Sequence, residues 1–179
     1  DVCRLAWIGA DWQRKRGDFA IAVAQALVER GRQVHLTMVG QAPPHGTPLP
    51  PFVEHVGFLP RRSPEGEATL RRLLERTHLL LLPSRAEAFD IVVAEAAAHA
   101  VPTVACDAGG LSSAVLDGRT GLLLPADASP EEHAAAVGAL LDDQDRYRAL
   151  ATAARDDHLT RLNWRSSCEL LLSRLARAC

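Results

Sequence analysis

The chain has 179 residues and a formal net charge of −2, and its apolar content comes from aliphatic residues and alanine, with only 4% aromatics. That length is enough for one domain with a full core, and the near-neutral charge gives no electrostatic basis for a nucleic-acid partner. No apolar run approaches the length of a membrane span, so no membrane-crossing segment is expected.

In chain order, a first strand is expected at 4–8, followed by the loop GADWQRKRG and a helix at 18–30 that Gly31 closes. A strand at 34–39 runs into the Pro-rich stretch QAPPHGTPLPPF, which reads as a loop. A strand at 53–58 and a helix at 67–77 follow, and then an apolar strand at 78–82. Next come a helix at 91–99, strands at 103–106 and 121–124, and helices at 130–141, 145–161 and 164–178. Ser129-Pro130 supplies an N-cap with Pro at the first helical position, and Glu132 completes the start signal. Strands alternate with helices, and the strands are apolar at successive positions. Such strands are covered on both faces, so the fold class is α/β, a Rossmann-like doubly wound parallel sheet over residues 1–179. Ligands in such sheets bind beyond the strand C-termini, and the loops at 9–17, 57–62, 83–90 and 107–111 all lie there.

The stretch PSRAEAFDIVVAE carries the most chemistry. It joins the strand at 78–82 to the helix at 91–99. A helix N-terminus offers unpaired N–H groups and partial positive charge, a seat for phosphate. Glu87 lies before that helix and Glu95 about two turns in, roughly 12 Å apart along the axis at 1.5 Å per residue. A hydroxyl-rich sugar, a diphosphate and a ribose fit this layout. Glu95 stands among Val and Ala residues, where a lone carboxylate needs a partner: a ribose, or else Arg85 or a backbone amide. Lys15, the single lysine, follows the first strand beside Arg14 and Arg16; on its own this reads as a solvated basic turn. The pair Gly109-Gly110 allows tight backbone geometry and close ligand approach.

Cys3, Cys106, Cys168 and Cys179 are far apart, with no C-x-x-C motif. A reduced, cytoplasmic setting is expected. His99 and His133 are read as helix-surface residues, and no histidine spacing suggests a metal site. The abundance of Arg and Ala with scarce Lys suggests a GC-rich bacterial genome.

The run from Pro83 to Pro125 resembles the donor-binding half of family-4 retaining glycosyltransferases of the GT-B fold. It shows Glu87, seven residues, Glu95, a small-residue helix, Pro102, Gly109-Gly110 and the turn from Asp117-Gly118 to Gly121 in the family's order. WIGADWQRKRGDFAIAVAQAL and LNWRSSCELLLSRL extend the likeness over nearly the whole chain. The resemblance implies one GT-B half, the C-terminal donor-binding domain. It also implies an absent N-terminal acceptor-binding domain that the last helix packs against.

The donor implied is a UDP- or GDP-hexose, with no metal and no cofactor. The resemblance puts Lys15 on the diphosphate, with Arg14 or Arg16 as second cation, and Glu87 at the sugar. Lys15 and Glu87 become the catalytic pair. Phe89, Asp90, Ile91, Gly109 and Gly110 surround the phosphates, Glu95 accepts from the ribose, and Gly57-Phe58-Leu59-Pro60, with Arg61 or Arg62, flanks the base. This chain departs from the family's Gly at Arg16, Ala88, Asp90 and Ala100. Asp90 is expected to cap the helix with its carboxylate turned away from the diphosphate. The leading reading is a hexosyltransferase domain that transfers nothing in isolation. The alternative is a non-catalytic nucleotide-binding or partner-docking domain. A nucleotide-sugar epimerase is a third reading, which the Glu-to-Glu spacing disfavours.

Overall fold

The structure, a computed structural model, describes residues 2–45 and 47–178. Gly46 of the expected Pro-rich loop, Asp1 and Cys179 lie outside the described residues.

Six parallel strands form one sheet in the order β3-β2-β1-β4-β5-β6. They are β1 (Cys3–Gly9), β2 (Val34–Gly40), β3 (Val53–Gly57), β4 (Leu79–Leu82), β5 (Thr103–Cys106) and β6 (Gly121–Leu124). The order reverses between β1 and β4, where the crevice beyond the strand C-termini opens. Helices α1 (Gly17–Glu29), α2 (Pro64–Leu74), α3 (Ile91–Ala98), α4 (Leu111–Ala114), α5 (Pro130–Asp142), α6 (Gln144–Thr160) and α7 (Trp164–Ala178) complete the fold.

Successive strand side chains point to opposite faces, and both faces are covered. Leu5, Trp7, Leu36, Met38, Leu79 and Leu81 pack against α1 and α5. Ala6, Ile8, Val39 and Leu80 pack against Leu70 and Leu74 of α2 and Val92 and Ala96 of α3. That two-sided burial explains the unbroken apolar run of Leu79–Leu82.

Helix ends follow the capping chemistry. Ser129 and Glu132 form a complete capping box at α5. Helix α2 starts at Pro64, earlier than the expected 67, because Ser63 accepts from the Gly66 N–H (3.0 Å) and Pro64 takes the first turn. The short α4 was not expected; four residues carry too little periodicity to be read. On α7, Trp164, Leu170, Leu171, Leu172 and Leu175 are exposed.

Helix α3 closes in a Schellman motif. Val101 N–H donates to Ala96 O and Ala100 N–H to Ala97 O, both at 3.0 Å. Ala100 sits at φ 56, the left-handed conformation that glycine adopts without cost. A Cβ there costs about 1–2 kcal/mol, while glycine adds about 0.5–1 kcal/mol of unfolded-state entropy. Ala100→Gly is therefore expected to stabilise the fold by about 0.5–1 kcal/mol. Urea unfolding would measure it; a neutral or negative result would show that the strain at Ala100 does not exceed the entropy cost of glycine.

Candidate functional site

At the switch point, the β1–α1 loop meets the β4–α3 loop. The two are tied together by backbone and side chain: Arg85 N–H donates to Arg14 O (3.0 Å), and Arg14 Nη1 donates to Ala86 O (3.2 Å). The indole N–H of fully buried Trp7 donates to Lys15 O (3.0 Å), anchoring the lysine from below.

Lys15 is the centre of the site. It is 5% exposed, and its ammonium contacts Glu87 Oε1 at 2.8 Å and also the Asp90 carboxylate. Arg14 Nη1 reaches the same Glu87 oxygen at 2.8 Å. The chain Arg14–Glu87–Lys15–Asp90 thus alternates in charge across residues far apart in sequence. Burial opposes ionisation of Glu87, but hydrogen bonding from Lys15 and the charges of Lys15 and Arg14 outweigh it. Its carboxyl is held below the usual carboxylate value.

Asp90 caps α3: its Oδ1 accepts from the Val92 N–H at 3.3 Å. The cap is as expected, but the carboxylate does not turn away. It is 6% exposed and engages Lys15 through its other oxygen. A capping carboxylate must sit over the first-turn N–H groups, and the buried Lys15 ammonium lies in front of the same turn. One side chain therefore serves both.

Arg14, Lys15, Glu87, Phe89, Asp90 and Ile91 line a cleft of about 350 Å³, to which Phe58, Leu59 and Arg61 also contribute. Arg16 is not among its walls. Its left-handed backbone (φ 51) sends the guanidinium over the Phe19 ring, 3.8 Å from the centroid, with Nη1 4.0 Å from Cys106 Sγ. Of the two candidate second cations, the structure brings Arg14 to Lys15 and turns Arg16 away.

The glycine pair has the tight backbone geometry expected of it. Gly110 N–H donates to Glu87 O (2.6 Å), and a Cβ on Gly109 or Gly110 would collide with the Glu87 or Ala88 carbonyl. The close approach these glycines permit is that of the β4–α3 loop itself. They position Glu87 from behind. Ala88 is outside the positive-φ region, so alanine is tolerated there.

The spacing of the two glutamates is also corrected. Helix α3 begins at Ile91, so Glu87 is in extended loop and Glu95 in the second turn. Helical rise cannot be counted across all eight positions. Glu95 pairs through Oε1 with Arg61, not with Arg85 or a backbone amide, and its Oε2 is buried with no hydrogen-bond partner among the described residues. Sequence reading noted Arg61 only as a neighbour of the base segment; an Arg-Arg pair in a loop carries no signal of its partner.

His133 is not on the surface. It is 1% exposed, edge-on to Phe19, with Nε2 3.6 Å from Cys106 Sγ and Nδ1 3.0 Å from Ser129 O. A ring that donates from Nδ1 to a carbonyl leaves Nε2 as acceptor for the thiol. Burial lowers its pKa, which keeps it neutral. Cys3, Cys106 and Cys168 are free thiols. Among the described residues no three His, Cys, Asp or Glu side chains are grouped to hold a metal ion, and no helix is long and apolar enough to cross a membrane.

Comparison with known proteins places these features. Residues 3–143 match the family described as Glycosyl transferases group 1. The D-inositol 3-phosphate glycosyltransferase of Nocardia farcinica is 33% identical over 186 residues, covering 97% of this chain and 40% of that protein. Sucrose-phosphate synthase from Thermosynechococcus elongatus superposes with TM-score 0.78 at 25% identity, over 100% of this chain and 47% of the other. Anabaena Alr3699/HepE, solved in complex with UDP-glucose, gives TM-score 0.79 at 20% identity over 99% of this chain and 49% of its own. The chain therefore spans about 40% of the length of the curated relative it matches, and under half of each solved chain.

Proposed function

We propose that this chain, which belongs to the glycosyl transferases group 1 family, binds a nucleoside diphosphate sugar at the C-terminal edge of its sheet. In this reading it is the donor-binding domain of a retaining hexosyltransferase that moves a glycosyl unit from a UDP- or GDP-hexose to an acceptor hydroxyl. The observation that carries it is the Arg14–Glu87–Lys15 network at the mouth of α3, beside the cleft at the sheet's switch point. Family membership gives this arrangement its chemical meaning.

The diphosphate sits at the α3 N-terminus with the Lys15 ammonium against it. As the glycosidic bond breaks, negative charge grows on the leaving phosphate, and a buried, preorganised cation stabilises that charge more than an exposed one could. Arg14, being 42% exposed, can swing from Glu87 to a phosphate oxygen. Glu87, kept ionised by its two cations, faces the sugar and stabilises the oxocarbenium-like centre. Glu95 accepts from the ribose. No resident cofactor has a part in this scheme. The acceptor belongs to a further domain, so the chain alone transfers no sugar to an added acceptor: catalysis needs both substrates in near-attack geometry.

Calorimetric titration with UDP, GDP and ADP tests the reading. UDP or GDP is expected to bind, and Glu95→Ala to weaken binding by about 1–3 kcal/mol, the range for hydrogen bonds to a charged group. No binding of any of the three would sink it.

A second reading has one observation in its favour. Asp90 places a carboxylate in the phosphate's seat, on the Val92 N–H and on Lys15. A domain that kept the fold but not the reaction would show such a plugged seat. A wild type that binds no nucleotide, with binding appearing only after Asp90→Gly, would favour that reading.

A further inference from the structure

We infer that Arg16 is a positioning residue for Lys15: its guanidinium, seated between Phe19, Cys106 and His133, holds the left-handed turn that aims the lysine at the diphosphate. The inference rests on the nucleotide reading above and adds to it a residue outside the cleft.

Arg16 sits at φ 51 and ψ 57, directly before α1. That conformation crowds any Cβ, and a residue with a side chain stays in it only where its surroundings over-determine it. Both ends of the turn are fixed. On one side the Trp7 indole holds Lys15 O (3.0 Å), and Lys15 N–H donates to Asp11 O (2.9 Å). On the other, Ala20 N–H donates to Arg16 O (3.1 Å), and Phe19, Ala20, Val23 and Leu27 bury α1 in the core. The φ of Arg16 is the rotation that joins the Lys15–Arg16 peptide plane to this fixed helix. A change in it swings Lys15.

The Arg16 side chain supplies the restraint. It makes no capping hydrogen bond to α1. Its guanidinium lies 3.8 Å from the Phe19 centroid instead, a cation–π stack within the first turn. Cys106, at the end of β5, brings its Sγ to 4.0 Å from Nη1. His133 of α5 closes the socket, edge-on to Phe19 at 5.0 Å and with Nε2 3.6 Å from the same sulfur. Burial keeps His133 neutral, so it sets no charge against the guanidinium. Three elements, α1, β5 and α5, thus grip one side chain that does not line the cleft. That grip matters when a nucleotide binds. Glu87 and Asp90 hold the Lys15 ammonium in the structure. A diphosphate competes with them for it, and the backbone is then what keeps the lysine aimed.

The test is titration of UDP and UMP, with GDP and GMP alongside, on wild type, Arg16→Ala, Arg16→Lys, Arg16→Gly and Phe19→Leu. UMP lacks the terminal phosphate, so the ratio of the two affinities reports how well the lysine is aimed. Wild type is expected to favour UDP. Arg16→Ala keeps the crowded Cβ and loses the anchor. Its UDP affinity should fall about tenfold, the worth of one hydrogen bond to a charged group, with UMP affinity changed by less than about twofold. Phe19→Leu, which removes the ring face, should lower the ratio in the same direction. Arg16→Lys keeps a cation over the ring and Arg16→Gly takes the turn without strain, so both should recover most of the UDP affinity. A UDP-to-UMP ratio unchanged in Arg16→Ala, whether both affinities hold or both fall equally, would overturn the inference and leave the nucleotide reading standing. A wild type with no preference for UDP would do the same. So would an Arg16→Gly as weak as Arg16→Ala, which would put the guanidinium itself on the ligand. No binding of UDP or GDP to wild type would remove both.

Discussion

Lys15→Ala is expected to destabilise the fold by about 3–5 kcal/mol, the cost of breaking a buried ion pair from one side. The lysine is 5% exposed, and the two carboxylates it serves are almost as buried. Removing it leaves Glu87 and Asp90 facing each other with a single cation, Arg14, in reach of one of them. Arg14 is partly solvated, so it offsets only part of the loss. The triple variant Lys15→Met, Glu87→Gln, Asp90→Asn separates charge from packing. Neutral groups of similar size strand no charge, and most of the lost stability should return. Urea unfolding of both variants at neutral pH measures this. A loss under about 1 kcal/mol for Lys15→Ala would mean that the network is solvated and worth no more than surface pairs. Lys15 could then not be the preorganised cation that charge stabilisation requires.

Asp90→Gly is expected to raise affinity for UDP or GDP by roughly 5- to 30-fold, or about 1–2 kcal/mol. Its carboxylate holds the Val92 N–H and the Lys15 ammonium, the two groups a phosphate at this helix mouth would use. A diphosphate must displace the carboxylate or sit beside it, and like charges a few ångströms apart near a protein surface repel by a few kcal/mol at most. The substitution removes that competition and leaves Lys15 paired with Glu87. In stability it should cost a few tenths of a kcal/mol for the cap, plus the lost pair with Lys15. Calorimetry reports affinity and urea unfolding reports stability. Unchanged affinity would show that the carboxylate leaves the phosphate path when nucleotide binds. Weaker affinity would show that Asp90 orients Lys15 for its ligand.

Both expectations differ from what the residues alone suggested, and the difference is instructive. Asp before Ile91 reads as an N-cap, and it is one. A cap signal says which N–H the carboxylate takes with one oxygen and nothing about the other. That second partner is Lys15, 75 positions away. Arg14 and Arg16 look equivalent in QRKRG, and only the left-handed turn at Arg16 separates them. Gly109-Gly110 reads as tight backbone geometry, and only the fold shows that the segment it packs against is the backbone of Glu87 and Ala88.

By itself the sequence determined the strand and helix order, the parallel two-sided sheet and the edge on which the loops gather. These follow from apolar periodicity, caps and turn residues, which act over a few neighbouring positions. It also determined the family, through motifs whose spacing survives along one chain. Only the tertiary structure decided which charges meet: Lys15 with Glu87 and Asp90, and Arg61 with Glu95. It also decided that His133 lies under α1, against Phe19 and Cys106. Charge pairing and burial depend on where distant segments are carried by the fold. A carboxylate has the same local signature whether water, a lysine or a ribose lies in front of it.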